Sequence, residues 1–349
     1  MAIRFDNKDI EELRSAIARA NDIALISHAL PDGDAVGSML GLYGALANIY
    51  ASNAKNVHLV LPNRPPSTFQ YLTGFTSAVN ADDQLDVCSA VLEQTDLIIC
   101  LDFNVPSRVG QLENVLNSSM APKILIDHHH SPAENFFCLV FSYPDISSTS
   151  ELVYWLCLAA WGTASFNCSN AQCLYTGMVT DTGSFAYSCE QSSLYEAVAG
   201  LMHFNPGGAT IHNHIFNNYS VARMRFLGYC ISERLQVFES IGVAIITVSQ
   251  QDMQHFGVGT VDLEGVVNYT LMMQPITVGA LIKETERGDL RLSLRSKNDF
   301  DVNTFARTHF GGGGHTKAAG ATLQGDIQSA AERVISLLCE AVTKFNQQQ

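Results

Sequence analysis

The 349-residue chain is poor in positive charge: 20 Lys+Arg stand against 34 Asp+Glu, a formal net of -14 with histidine neutral. Such a chain lacks the clustered cations that release counterions along a phosphate track, which excludes general binding of long DNA or RNA. Charged residues of both signs reach only 15% while hydrophobic residues make up 47%. That composition excludes a disordered or low-complexity chain and points to globular domains. The nine cysteines contain no C-x-x-C pair and are odd in number, so neither a disulfide framework nor a zinc ribbon fits, and a reducing compartment is expected. No uncharged apolar stretch reaches the ~18 residues of a membrane span. The N-terminus, MAIRFDNKDIEELRSAI, carries Asp and Glu where a signal peptide would carry a basic region and then an apolar run. The expectation is a cytoplasmic protein with no membrane attachment. No internal repeat is present.

What the chain does have is a recurring theme, in which a short apolar run ends on an acid or histidine and a helical stretch follows. DIALIS (22–27) leads to His28 and a Pro-Asp-Gly-Asp turn, and VGSMLGLYGALANIY (36–50) reads as a buried helix rich in small residues. VHLVLP (57–62), DLIICLD (96–102) and KILID (123–127) are further strands, the last two ending on Asp102 and on Asp127 followed by His128 and His129. Apolar runs of this length alternating with helices predict a parallel sheet covered on both faces, with ligands at the carboxyl ends of its strands. Ser148-Thr-Ser-Glu151 fits a capping box opening a helix, and a second buried helix over 171–180 runs into Asp181. Residues 205–236 read as a linker. Beyond it lie strands over 237–248, 276–285 and 290–297, with hairpin turns at Glu239–Gly242 and Glu286–Asp289, then a glycine run and a final helix over 330–344. At about 100–200 residues per domain the chain divides into a 1–204 domain and a smaller α/β domain over 237–349.

The chemistry-bearing residues fall at the predicted strand ends. His28, Asp32 and Asp34 share one turn, and Asp102, the Asp127-His128-His129-His130 run and Asp181 supply the rest. Taken singly, Pro-Asp-Gly-Asp is an ordinary turn, Asp102 and Asp127 are helix N-caps, and His128 is a core histidine. Four separate segments all ending on ligand-type residues are better explained together. Imidazole with carboxylate and no thiolate suits a hard or borderline ion, Mn²⁺ foremost among Mn²⁺, Fe²⁺, Co²⁺ and Zn²⁺. Converging carboxylates repel by several kcal/mol per pair at ~4 Å even in an effective dielectric of about 20, and two divalent ions resolve this. In the C-terminal half, Gly311–Gly314 followed by His315 reads either as a flexible turn or as a cradle of backbone N–H groups around an anion, with Arg295 as a fork-shaped phosphate partner. His130, His203, His212, His214, His255 and His309 receive no role.

These segments, HALPDGDAVGS (28–38), LD (101–102), DHH (127–129), TDTGSF (180–185), SLRS (293–296) and GGGGHTKAAG (311–320), resemble the DHH phosphoesterase superfamily with its C-terminal DHH-associated domain. Within it the chain is similar to the bacterial NrnA-type oligoribonucleases that also act as 3'-phosphoadenosine 5'-phosphate (PAP) phosphatases. The resemblance spans nearly the whole chain. It implies an N-terminal parallel-sheet DHH domain with helices on both faces, a smaller C-terminal α/β domain and an active-site cleft between them. It implies two Mn²⁺ ions, one held by His28, Asp32 and Asp102 and the other by Asp34, Asp102, His128 and Asp181, so that Asp102 bridges them. Asp127 would orient histidine, and His129 would contact the scissile phosphate and assist as an acid. Arg295, Ser296, Gly312, Gly313, Gly314 and His315 would hold the substrate's other end.

The expected activity is that of a Mn²⁺-dependent phosphodiesterase and phosphatase. It would hydrolyse short RNA oligonucleotides to 5'-mononucleotides and PAP to AMP. A cyclic-dinucleotide or linear pApA phosphodiesterase is the alternative, with single-stranded DNA exonuclease and exopolyphosphatase ranked lower. Expected partners are short RNA oligonucleotides or nucleotide bisphosphates as substrates, with no long nucleic acid and no membrane. The sequence leaves the oligomeric state open, a homodimer included. A non-catalytic binding module is disfavoured by the intact ligand set.

Overall fold

The computed structural model describes residues 3–52, 55–285 and 287–347, which form two compact units, Met1–Asn218 and Tyr219–Gln349. The division falls inside the 205–236 stretch. Glu286, expected in a hairpin turn, lies outside the described residues.

In the first unit the order is α1 (Asn7–Arg19), β1 (Asp22–Ile26), α2 (Gly33–Ile49), β2 (Asn56–Leu61), β3 (Val79–Asn80), α3 (Ala81–Gln94), β4 (Leu97–Leu101), α4 (Glu113–Ser118), β5 (Lys123–Asp127) and β6 (Leu139–Ser142). Helices α5 (Thr149–Trp161), α6 (Cys168–Asp181), α7 (Ser192–Met202) and α8 (Gly208–Phe216) follow. All six strands are parallel, in the order β3-β2-β1-β4-β5-β6. The predicted strands β1, β2, β4 and β5 are present within a residue or two of their expected ends, whereas the short edge strands β3 and β6 carry no long apolar run and gave no such signal.

Continuous apolar runs are needed because both faces of the sheet are covered. Ile23, Leu25, Ile99, Leu101 and Ile126 join one core with residues of α2, α5 and α6. The intervening Ala24, Ile26, Ile98, Cys100 and Leu125 join another with residues of α3 and α4. The chain order reverses between β1 and β4, which are adjacent. In open parallel sheets that reversal opens a crevice beyond the carboxyl ends of the two strands.

Helix α2 is fitted closely to α6 by a stripe of glycines. A Cβ on Gly37 would lie 2.6 Å from the Cys173 carbonyl oxygen and 2.8 Å from the Gly177 nitrogen, and one on Gly44 would lie 2.6 Å from Asn170 Cβ. Gly33 faces Thr180 and Gly41 faces Leu174 in the same way. Residues four and three apart share a helix face, so these positions make one smooth strip along which α6 approaches. The strip sets how close Asp34, at the start of α2, comes to Asp181, at the end of α6.

The second unit runs α9 (Val221–Glu233), β7 (Leu235–Phe238), β8 (Val243–Val248), α10 (Gln250–Phe256), α11 (Asn268–Leu271), β9 (Val278–Glu284), β10 (Leu290–Ser296), α12 (Val302–Phe310), β11 (Gly313–His315), β12 (Ala318–Leu323) and α13 (Ile327–Asn346). Its sheet order is β11-β12-β10-β9-β8-β7, antiparallel except for the β8–β9 pair. Val334, Leu338 and Val342 of α13 pack with Val243, Ile245, Ala280 and Ile282, while Phe226 and Cys230 of α9 join Ile246, Val248 and Leu281. No described helix is long and apolar enough to cross a membrane.

Candidate metal centre

Just past the end of β1 and at the end of β4, on either side of the chain reversal, stand His28 and Asp102. His28 Nδ1 lies 2.9 Å from the carbonyl oxygen of Ala29. A carbonyl only accepts, so the proton sits on Nδ1 and Nε2 is turned toward Asp102 Oδ2 at 3.4 Å and Asp32 Oδ1 at 3.9 Å. Beyond β5 the arrangement repeats. His128 Nδ1 faces the Ile146 carbonyl at 3.4 Å, while Nε2 lies 3.5 Å from Asp102 Oδ1, 3.6 Å from Asp181 Oδ2 and 4.0 Å from Asp34 Oδ2. Fixing the far ring nitrogen in this way orients an imidazole for coordination. Asp102 therefore presents one carboxylate oxygen to each histidine. Its backbone has φ 66°, a left-handed conformation uncommon for a residue with a side chain and concentrated at functional sites.

Among the described residues of the first unit, the donor atoms form three sets, each lying within 4.8 Å of one another: His28, Asp32 and Asp102; Asp34, His128 and Asp181; and Asp102, Asp127 and His129. The first two bring together the residues expected at the two cation positions, and Asp102, grouped with His28, also turns its Oδ1 toward His128. Asp32 caps α2, its Oδ1 accepting from the N–H groups of Asp34 and Ala35. That cap turns the next acid inward, so that Asp34 is buried while Asp32 keeps half of its side chain exposed.

The start of α5 supplies contacts the sequence reading did not foresee. Thr149 N–H donates to Asp34 Oδ2 at 2.6 Å, Ser150 N–H to Asp34 Oδ1 at 2.8 Å, and the Thr149 hydroxyl to Asp102 Oδ1 at 2.9 Å. The expected capping box is half present. Ser148 Oγ accepts from Glu151 N–H, but the Glu151 carboxylate accepts from Ser147 N–H, Ser147 Oγ and Trp155 Nε1 instead of returning to the cap residue. Arg108 was also missed. Its carbonyl accepts from Ala29 N–H at 2.7 Å, and its charge is felt at His28. A lone Arg two residues after a single Pro carries no pattern that would single it out.

The electrostatics describe a cluster short of positive charge. Burial and the charges of Asp102 and Asp181 raise the Asp34 carboxyl well above the usual range, against His128 and Ser150. Burial likewise lifts Asp181 to about 7, with His128 opposing it and Asp32 and Asp102 reinforcing it. Burial lowers both imidazoles, but their carboxylate neighbours outweigh it: Asp102 and Asp32 bring His28 to about 9, and Asp181, Asp102, Asp34 and Asp127 bring His128 to about 9. Asp102 itself is held low, because the His28 hydrogen bond and the charges of three histidines overcome its burial. Carboxyls pushed toward protonation beside imidazoles that hold theirs make a site whose unmet need is cationic. An all-oxygen-and-imidazole donor set fits divalent metal ions of the hard or borderline kind.

Asp127 Oδ1 accepts from His129 Nδ1 at 2.6 Å, so the carboxylate fixes the orientation of that ring. Asp127 is fully buried, and its Oδ2 has no hydrogen-bond partner among the described residues. His130 contributes through its backbone, its carbonyl accepting from Asn104 Nδ2 at 2.6 Å. In the second unit, Arg295 is half-buried on β10 with Nη1 donating to the Leu294 carbonyl, and the Ser296 hydroxyl donates to the Phe300 carbonyl. The glycine run has structural work of its own. Gly312 N–H donates to Ala306 C=O and Gly314 N–H to Asn303 Oδ1, and a Cβ on Gly312 or Gly314 would collide with the backbone of β12. Gly313 and the exposed His315 lie on β11, paired with Gly320 and Ala318.

Comparison with known proteins agrees with this geometry. Residues 22–178 match the DHH family N-terminal domain and residues 240–344 the DHHA1 domain. The chain is 25% identical over 318 residues to the bifunctional oligoribonuclease and PAP phosphatase NrnA of Mycoplasma genitalium, covering 90% of this chain and 92% of that one. It is 22% identical to the cyclic-di-AMP phosphodiesterase GdpP of Bacillus subtilis, covering 92% of this chain but 48% of that protein. The crystal structure of an exopolyphosphatase-related protein from Bacteroides fragilis superposes with a TM-score of 0.92 at 31% identity, covering 98% of both chains. With its acids and histidines gathered at the carboxyl ends of a parallel sheet, and a DHHA1 domain following, the chain belongs to the DHH family.

Proposed function

We propose that the protein is a phosphoesterase dependent on two divalent cations, Mn²⁺ by the donor set. It cleaves short RNA oligonucleotides to 5'-mononucleotides and removes the 3'-phosphate of PAP. The observation that carries this reading is the Asp102 carboxylate at the sheet reversal, with Oδ2 facing His28 and Oδ1 facing His128. In this reading His28, Asp32 and Asp102 hold one cation, and Asp34, Asp102, His128 and Asp181 hold the other. Bound there, the cations supply Lewis acidity to a phosphoryl oxygen and lower the pKa of water toward 7. The chain's own part is to place and protonate. Asp127 holds the His129 ring so that it meets the departing oxygen as a general acid. Arg108 gives this acid-rich unit a guanidinium beside His28 for a non-bridging phosphate oxygen. Arg295, Ser296, His315 and the Gly312–Gly314 segment are the candidates for the substrate's other end, with Arg295 and His315 offering side chains and Gly312 and Gly314 acting through the shape of the β11–β12 hairpin.

The likeness to the M. genitalium enzyme supports the substrate choice, and the likeness to GdpP supports a second reading as a phosphodiesterase of cyclic or linear dinucleotides. One experiment separates these. Purified protein is given Mn²⁺ or Mg²⁺ with a labelled RNA dinucleotide, a trinucleotide, PAP, cyclic di-AMP or polyphosphate, and the products are identified. Release of 5'-mononucleotides and AMP is expected. Turnover of cyclic di-AMP alone favours the second reading, and hydrolysis of none of them overturns both.

A further inference from the structure

Five consecutive polar residues, Ser147 to Glu151, are buried at the start of α5. Burying polar groups is costly unless they are hydrogen-bonded, and here three of the bonds run to Asp34 and Asp102 while the others tie the turn to itself and to Trp155. Glu151 anchors the turn by accepting from Ser147 N–H, Ser147 Oγ and Trp155 Nε1. Thr149 then touches two ligands at once, Asp34 through its N–H and Asp102 through its hydroxyl, and Ser150 N–H takes the remaining Asp34 oxygen. Across α6, Gly177 lets this turn come close, since a Cβ there would run into Ser150 Oγ and lie 2.8 Å from Asp34 Oδ1.

These contacts are one-sided. Both Asp34 oxygens and the Asp102 oxygen that faces His128 are held by α5. On the other side, Asp102 Oδ2 faces His28, and the third donor, Asp32, is half-exposed, its hydrogen bonds among the described residues coming from the first turn of its own helix. A carboxylate fixed in advance loses less freedom on binding a cation than one that must be ordered, and partners of metal ligands typically contribute 10–100-fold to affinity.

We propose that Thr149 is a positioning residue for the Asp34, His128 and Asp181 metal position, and that it makes this the tighter of two unequal cation positions. This rests on reading the cluster as a two-cation centre. The test is a Mn²⁺ titration of chelator-stripped protein, following free Mn²⁺ by electron paramagnetic resonance. Wild type is expected to bind in two steps, one cation each. Thr149→Val keeps the shape and the N–H but loses the hydroxyl, and should weaken the tighter step about tenfold while moving the weaker one less than about twofold. Thr149→Ser should restore it. Circular dichroism of the stripped variants should match wild type, and turnover at saturating Mn²⁺ should recover to within a few-fold. A tight step unmoved in Thr149→Val, an equal shift in both steps, or a Thr149→Ser variant as weak as Thr149→Val overturns the proposal alone. Wild-type protein that binds fewer than two cations overturns it together with the functional reading.

Discussion

The two units of the chain differ most in charge. Residues 1–218 carry 8 Lys+Arg against 21 Asp+Glu, a formal -13, whereas residues 219–349 carry 12 against 13, a formal -1. The overall -14 is therefore the property of one unit. That unit holds the inward-turned acids, and its parallel sheet opens a crevice at the strand ends where they collect. The other is built on a mixed, mostly antiparallel sheet and supplies the larger share of cations. Read as a whole, the chain looks hostile to phosphate. Read by unit, the acids are concentrated in the body that carries the proposed cation site, and the other body is nearly neutral and rich in Arg.

The largest effect that would break this contrast is at Asp102. Replacing it with Ala removes the carboxylate that faces both histidines, and turnover should fall about 10³-fold or more, with metal content measured by mass spectrometry dropping below two per chain. Undiminished activity would refute the ligand assignment in the acidic unit. Next is Gly37→Ala. A Cβ 2.6 Å from the Cys173 carbonyl cannot be absorbed by a rotamer change, so about 3 kcal/mol or more of stability should be lost. Hydrogen exchange should show α2 and α6 peptides losing protection while β8–β10 peptides of the second unit hold theirs.

A smaller effect probes the second unit alone. Burial raises the Asp252 carboxyl, but hydrogen bonds from Arg234, Tyr229 and Ser249 outweigh it and bring the group to about 2. A carboxyl depressed on folding stabilises above its unfolded pKa near 3.8, and that contribution is lost as pH falls through about 2. With the Arg234 side chain 39% exposed, about 1–2 kcal/mol is at stake. Asp252→Asn should cost that much at pH 7, by chemical denaturation followed in α9–α10 peptides, and progressively less as pH is lowered from 4 to 2. The smallest expected change comes from Arg295→Gln. It should raise KM several-fold with little loss of kcat, as removal of uniform substrate binding does. A fall in kcat with KM unchanged would move Arg295 out of the binding role.

Much of this architecture was legible in the sequence, because buried parallel strands must be apolar throughout and their ends must be polar if they carry ligands. Strands β1, β2, β4 and β5 and the residues that end or follow them needed nothing else. The edge strands β3 and β6 are short and half-covered, so no periodicity betrays them. Thr149 escaped because Ser148-Thr-Ser-Glu151 reads as a helix cap, and only the fold shows that its middle residue faces acids more than forty positions away. The glycine run at 311–314 read as a choice between a turn and an anion cradle. Two of its amides are spent on Ala306 and Asn303, a pairing that depends on where α12 lies and not on the run itself.

The seam between α2 and α6 bears on how the protein is made. Asp34 emerges from the ribosome early, but the surface that receives its helix, and the Asp181 that shares its cluster, come about 150 residues later. At 5–20 residues per second that is a wait of roughly 7–30 s, during which the Gly33–Gly44 strip has no partner. A cation offered to the nascent chain before then can meet His28, Asp32, Asp34, Asp102 and His128, but not Asp181 or the packed α2–α6 seam that brings Asp34 beside it. Metal acquisition should therefore be a late event in biogenesis, following closure of the first unit instead of nucleating it.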